Sequence, residues 1–209
     1  VEKQESQQGV CVSGLFSDID PNYYGRLGYE QCDSLEMIIK ITDPAQVPEA
    51  DWQLQPINAQ QQLSKMRSWY ERSQHDRSVW VVRDDDYWQY VLAKSATDDC
   101  FLLIDEQQQE QGYLRVHSHD DCWVVQDWGL STGDQAELSA MISAIRSSAC
   151  QQGIKSIVGW LPRLEETVNG IDFESRPQEI TMFKRLDANL NLTDKIVGDS
   201  AYLREIDHV

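Results

Sequence analysis

The chain has 209 residues, 41% of them hydrophobic and seven of them tryptophan, which is enough apolar surface for a packed core and too much for a disordered chain. A formal charge of −17 and a pI near 4.4 argue against a phosphate-backbone partner, which needs clustered lysine and arginine. The same charge favours a cationic partner by long-range attraction, unless the acidity serves solubility alone. No apolar run approaches the roughly 20 residues of a membrane span, and no basic-then-apolar leader is visible, so neither membrane nor nucleic acid is expected as a partner.

Residues 1–8 (VEKQESQQ) read as the polar end of a helix, and residues 10–16 (VCVSGLF) as a strand apolar enough to be buried on both faces. Asp20-Pro21 marks a helix start, because aspartate caps free amides and proline fits the first helical position. Residues 22–27 continue that helix, and Gly28 supplies the positive φ that ends it. From Tyr29 the chain (YEQCDSLEMIIKI) returns to strand. A strand such as 10–16 needs sheet neighbours on both sides and few residues precede it, so an upstream part of a longer protein is expected.

Residues 44–59 (PAQVPEADWQLQPINA) hold three of the six prolines without periodicity and are expected to form a linker. Residues 62–73 place Leu63, Met66, Trp69 and Tyr70 at helical spacing. Residues 84–96 open with acids that suit a helix start and set Tyr87, Val91 and Leu92 on one side. Three strands follow, 100–106 (CFLLIDE), 111–117 (QGYLRVH) and 122–128 (CWVVQDW), with the glutamines 107–109 turning between the first two. Residues 134–152 give the clearest helix, with Leu138, Met141, Ile142, Ile145 and Ala149 in one stripe and Gly153 as its stop. A buried strand at 155–160, a short helix at 162–169, and a closing strand pair formed by 179–187 and 202–206 complete the reading. The order predicts a mixed α/β layer, helices covering a largely antiparallel sheet.

Five cysteines, Cys11, Cys32, Cys100, Cys122 and Cys150, form no Cys-x-x-Cys pair and sit mostly in apolar runs, which suits a reducing cytoplasm. The stretch HSHDDC, 117–122, would put His117 and His119 on one face of a strand. It falls where a hairpin turn is expected, so a polar turn is preferred to a metal site. His75 and His208 have no triad partner, and Cys11 in an apolar strand makes a poor nucleophile.

The segment YGRLGY, 24–29, in its strand–helix–strand frame, resembles motif B of the GNAT acetyltransferase superfamily. Its YGR-x-GY form is most similar to the tandem-GNAT proteins of the enhanced-intracellular-survival type, and the element order from Gln60 onward is similar to the same fold. The resemblance implies an α+β, GNAT-like architecture in which 1–43 is the C-terminal portion of a first, catalytic domain, 44–59 a linker and 60–209 a second, degenerate domain. It further implies acetyl-CoA as co-substrate and a primary amine as acceptor, with homo-oligomerisation a further expectation. Tyr24 would take the general-acid position for the departing thiolate. Ser17 would lie where relatives place an asparagine beside the pantetheine arm, and Phe16 at the mouth of the splayed strands. The junction DWGLSTGDQAEL lacks the basic lead residue and glycine spacing of a pyrophosphate loop. Asp134 and Glu137 add negative charge there, so a second cofactor site is not expected. The rival reading is a non-catalytic GNAT-like module for binding or oligomerisation.

Overall fold

The computed structural model describes residues 11–94, 96–164, 170–187, 196 and 199–207. In chain order its regular elements begin with β1 (Val12–Ser17), α1 (Pro21–Gly25), β2 (Glu30–Gln31) and β3 (Leu35–Lys40). There follow β4 (Gln53–Pro56), α2 (Ala59–Ser73), α3 (Asp85–Lys94), β5 (Asp99–Ile104), β6 (Glu110–His119) and β7 (Cys122–Leu130). The last are α4 (Gln135–Gln151), β8 (Ser156–Gly159), β9 (Ile171–Ser175) and β10 (Ile180–Arg185), with short 3-10 turns at Pro44–Gln46, Ser200–Tyr202 and Glu205–Asp207.

The larger sheet runs β4-β5-β6-β7-β8-β3-β9, and among the described residues only β7 and β8 pair in parallel. Helices cover both of its faces, which is why β5 is buried at five consecutive residues instead of alternating. On one face Phe101, Leu103, Leu114, Val116, Trp123 and Val125 pack against the α4 stripe Leu138, Met141, Ile142, Ile145 and Ala149. On the other, Cys100, Leu102, Ile104 and Tyr113 pack against Met66, Trp69 and Tyr70 of α2 and Trp88 and Val91 of α3. The result is the mixed, largely antiparallel α/β layer that the sequence predicts, and α4 has the Asp134 cap and the positive-φ Gly153 stop expected of it.

The smaller sheet is β1-β10-β2, and it ties the two ends of the chain together. β3 leaves β2 and inserts between β8 and β9, antiparallel to both. β10 leaves β9 and inserts between β1 and β2, again antiparallel to both. The two segments are thus a repeat: strand, connection, positive-φ glycine (Gly28, Gly170), short strand, then a third strand given to the other sheet. Sheet pairing therefore crosses the expected boundary at residue 43 in both directions.

Several expectations change. β1 is half-buried instead of buried on both faces, with Gly14 exposed and Ser17 alone fully covered. Among the described residues its outer edge carries no ladder partner. The expected linker contains a 3-10 turn and β4, because Trp52 and Leu54 reach the core while the neighbouring polar residues face out. Residues 202–206 form no strand but link the 3-10 turns Ser200–Tyr202 and Glu205–Asp207, since β1 and β2 already occupy both edges of β10. The expected helix at 162–169 is irregular through 164, and 165–169 lie outside the described residues, as do 1–8. Cys11 is exposed, whereas Cys32 and Cys100 are buried.

Candidate functional site

Local chemistry builds the first site. Asp20 caps α1 by accepting a hydrogen bond from Asn22 N at 3.0 Å, and Pro21 fits the first turn. Gly28, at φ +90°, reverses the chain so that Tyr29 N donates to Tyr24 O at 3.2 Å. Tyr24 is half-buried, with its ring edge-on to Tyr23 at 5.1 Å and to Tyr29 at 6.0 Å between centroids. The Tyr29 hydroxyl lies 2.9 Å from Ser13 Oγ on β1.

The other two residues named from the sequence end β1. Phe16 packs on Trp160, 5.5 Å between ring centroids, and Trp160 in turn carries the Arg176 guanidinium 3.5 Å from its centroid. Arg176 is held by Thr181 Oγ1 at 2.9 Å, and burial pulls its pKa down to about 10. Ser17 is 1% exposed and donates its hydroxyl to Ile19 O at 2.8 Å, so that oxygen shapes the turn into α1 and is turned away from solvent.

The second candidate place is the gap between β7 and β8. The two strands pair from Cys122–Ser156 to Val125–Gly159, after which β7 bulges at Gln126 and runs on to Leu130 without β8, still paired with β6. The chain's own C-terminal turns occupy this gap. Arg204 Nε donates to Trp128 O at 3.1 Å and stacks its guanidinium 3.3 Å from the Trp128 centroid. Gln126 Nε2 donates to Glu205 Oε1 at 2.9 Å. Arg77 lies over the Tyr202 ring at 3.4 Å. Burial lowers the Arg204 pKa to about 10 and raises that of Glu205 to about 7.

The junction between β7 and α4 is filled likewise. Thr132 N and Gly133 N both donate to the Glu137 carboxylate, at 2.7 and 3.0 Å, and Glu137 N donates back to Asp134 Oδ1 at 2.9 Å. Amides that could turn towards an external anion thus hold an internal one.

Beneath the gap lies a buried ion cluster that the sequence reading did not single out. Arg83 makes two-pronged contacts with Asp127, at 2.9 and 3.1 Å, and with Asp207, at 2.9 and 2.8 Å. Tyr113 donates to Asp127 at 2.8 Å. The guanidinium also lies 3.9 Å from the Tyr70 centroid. Burial alone would depress the Arg83 pKa; the two aspartates hold it well above the ordinary range. Burial, then Asp127, pushes the Tyr113 phenol far up. The readable signal was a charge inside apolar runs: Asp127 in CWVVQDW, Arg83 after VWVV.

The HSHDDC stretch is the β6–β7 hairpin, with Asp120 at φ +52°, His117 Nδ1 3.1 Å from Asp98 Oδ1 and Lys155 2.7 Å from Asp121. Among the described residues no group of three or more His, Cys, Asp or Glu is placed to hold a metal ion, and no helix is long and apolar enough to cross a membrane.

The sequence matches no family model and no curated protein. Solved structures do match. A conserved protein of unknown function from Enterococcus faecalis, described as a probable N-acyltransferase, superposes with a TM-score of 0.67 at 14% identity, over 88% of this chain and 48% of that one. A GCN5-related N-acetyltransferase from Anabaena variabilis gives 0.62 at 17% identity, over 89% and 48%. Eis1 from Mycobacterium abscessus gives 0.59 at 15% identity, over 89% and 50%. The chain spans about half the length of these structures. Element order, the parallel β7–β8 pair inside an otherwise antiparallel sheet among the described residues, and these superpositions together identify the fold as that of the GCN5-related N-acetyltransferases.

Proposed function

We propose that this chain is part of an N-acetyltransferase that moves an acetyl group from acetyl-CoA to a primary amine. In this reading residues 1–43 belong to a catalytic unit and 60–209 to a second unit that binds no cofactor, and a longer polypeptide places the cofactor-holding strand against the edge of β1 that has no ladder partner among the described residues. The observation that carries the reading is Tyr24 on the short capped helix that joins β1 to β2, in the YGRLGY frame. The neutral amine attacks the thioester carbonyl, and the Tyr24 phenol protonates the departing sulfur. Phe16, on Trp160 at the end of β1, would line the mouth of the cleft. Ser17 would act through the backbone turn it holds, since its hydroxyl is committed to Ile19. The net charge of −17 supports a cationic acceptor such as a lysine side chain, a polyamine or an aminoglycoside. A reducing, cytoplasmic setting suits the five cysteines, which form no Cys-x-x-Cys pair.

For the second unit on its own, a non-catalytic role is favoured by the gap that Arg204 and Glu205 fill and by the amides that Glu137 holds. The test is acetyl-CoA binding and thiol release in a polypeptide that includes the upstream strand, beside this chain alone. The expected outcome is thermal stabilisation by acetyl-CoA of the longer form only, with Tyr24→Phe lowering its turnover about 10²-fold or more. Stabilisation of neither form favours the non-catalytic module, and an undiminished Tyr24→Phe rate removes Tyr24 from the chemistry.

A further inference from the structure

The strand beneath the candidate acid belongs to the second unit. In the β1–β10 ladder Lys184 stands directly opposite Ser13, so the two side chains share a face of the smaller sheet. Tyr29 lies across both. Its hydroxyl is 2.9 Å from Ser13 Oγ, and its ring centroid is 5.6 Å from Lys184 Nζ, within reach of a cation–aromatic contact. The lysine stem runs beside Gly28, where a Cβ would sit 3.5 Å from Lys184 Cε. Tyr29 is therefore held from three directions: its amide by Tyr24 O, its hydroxyl by β1, and its ring by β10. Against that fixed ring Tyr24 rests edge-on, 6.0 Å between centroids and 74° between planes.

We infer that Lys184, carried on the strand that the second unit gives to the first, is a positioning residue for Tyr24 and acts through Tyr29. The inference rests on the reading of Tyr24 as the acid. It gives the second unit a part in the reaction even though its own gap is filled, because the donated strand supplies the surface that fixes the phenol. It also makes the pairing of Ser13 with Lys184 more than ladder geometry. A slip of β10 by one residue would turn Lys184 to the opposite face and remove the support.

Two variants separate charge from packing: Lys184→Met keeps the stem and removes the cation, and Lys184→Arg keeps both. Ser13→Ala releases the other anchor of Tyr29. In this chain alone, the ring resonances of Tyr24 should move in Lys184→Met and in Ser13→Ala and stay close to wild type in Lys184→Arg. In the longer, active polypeptide, Lys184→Met should lower kcat by about three- to tenfold with the KM values for acetyl-CoA and amine unchanged, and Lys184→Arg should restore most of it. Unmoved Tyr24 resonances in Lys184→Met overturn the inference. So does a fall in kcat/KM that comes through KM, which marks a lysine that only packs. Tyr24→Phe in parallel distinguishes the two levels: if it leaves turnover intact, the acid reading fails, and if it abolishes turnover while Lys184→Met does not alter it, the positioning role alone fails.

Discussion

Arg83 has no exposed side-chain surface and is enclosed by Asp127 and Asp207, whose side chains are equally covered. Ions so far from water persist only when nearly every donor and acceptor is matched, and here two two-pronged contacts and the Tyr113 hydroxyl do that. Arg83→Met would leave two buried carboxylates facing each other, and it should lower unfolding free energy by about 3–5 kcal/mol in denaturant titration. Glu205 titrates in the opposite sense to a paired carboxylate. Burial raises its pKa from 4.5 to about 7, so the folded state keeps a proton that the unfolded chain releases. Its contribution is complete below pH 4.5 and is lost as pH rises through about 7. The groups around it are Gln126 on β7, Glu36 on β3, and Arg176 and Glu179 between β9 and β10. The melting temperature should fall from pH 5 to pH 8, and Glu205→Gln should flatten that slope and raise the value at pH 8. An unchanged slope would remove Glu205 as its source.

At the scale of elements, α2 lies against β7 as closely as it does because Gly129 has no side chain. A methyl there would come 2.7 Å from Tyr70 N and 2.9 Å from Trp69 C, which are helix backbone atoms that cannot turn aside. Gly129→Ala should push α2 off the sheet and cost about 1–3 kcal/mol, measurable as a lower urea midpoint. The same region shows what the sequence displayed and what it hid. The α4 stripe, the Asp20 and Asp134 caps and the three strands β5–β7 were legible because each carries its own period or cap. β9 (IDFES) and β4 (QLQP) were missed because both are edge strands with few inward residues, too few for a period to register. Tyr24 stands in the YGRLGY motif and Phe16 and Ser17 follow from the resemblance alone, but the commitment of Ser17 to Ile19 depends on a turn geometry that residue types do not declare. Glu137 was legible as charge, not as the acceptor of two amides.

Across the whole molecule the exchange of β3 and β10 is the organising feature, and composition gave no sign of it. Met37 and Ile39 on β3 would suit any interior slot, and the slot they occupy is set by β8 and β9, more than a hundred residues away. The segments YGRLGYEQ and VNGIDFES, each with a glycine before a short strand, held the one hint of a repeat. Because Met37 is wholly buried in one sheet and Met182 nearly so in the other, each sheet closes only when the opposite segment arrives. For the polypeptide leaving the ribosome, this means β1 and β2 wait, with a vacancy between them, until residue 185 has been made. A gene severed between the two segments would yield a pair of products that each carry the other's missing piece, and neither could mature without finding its counterpart.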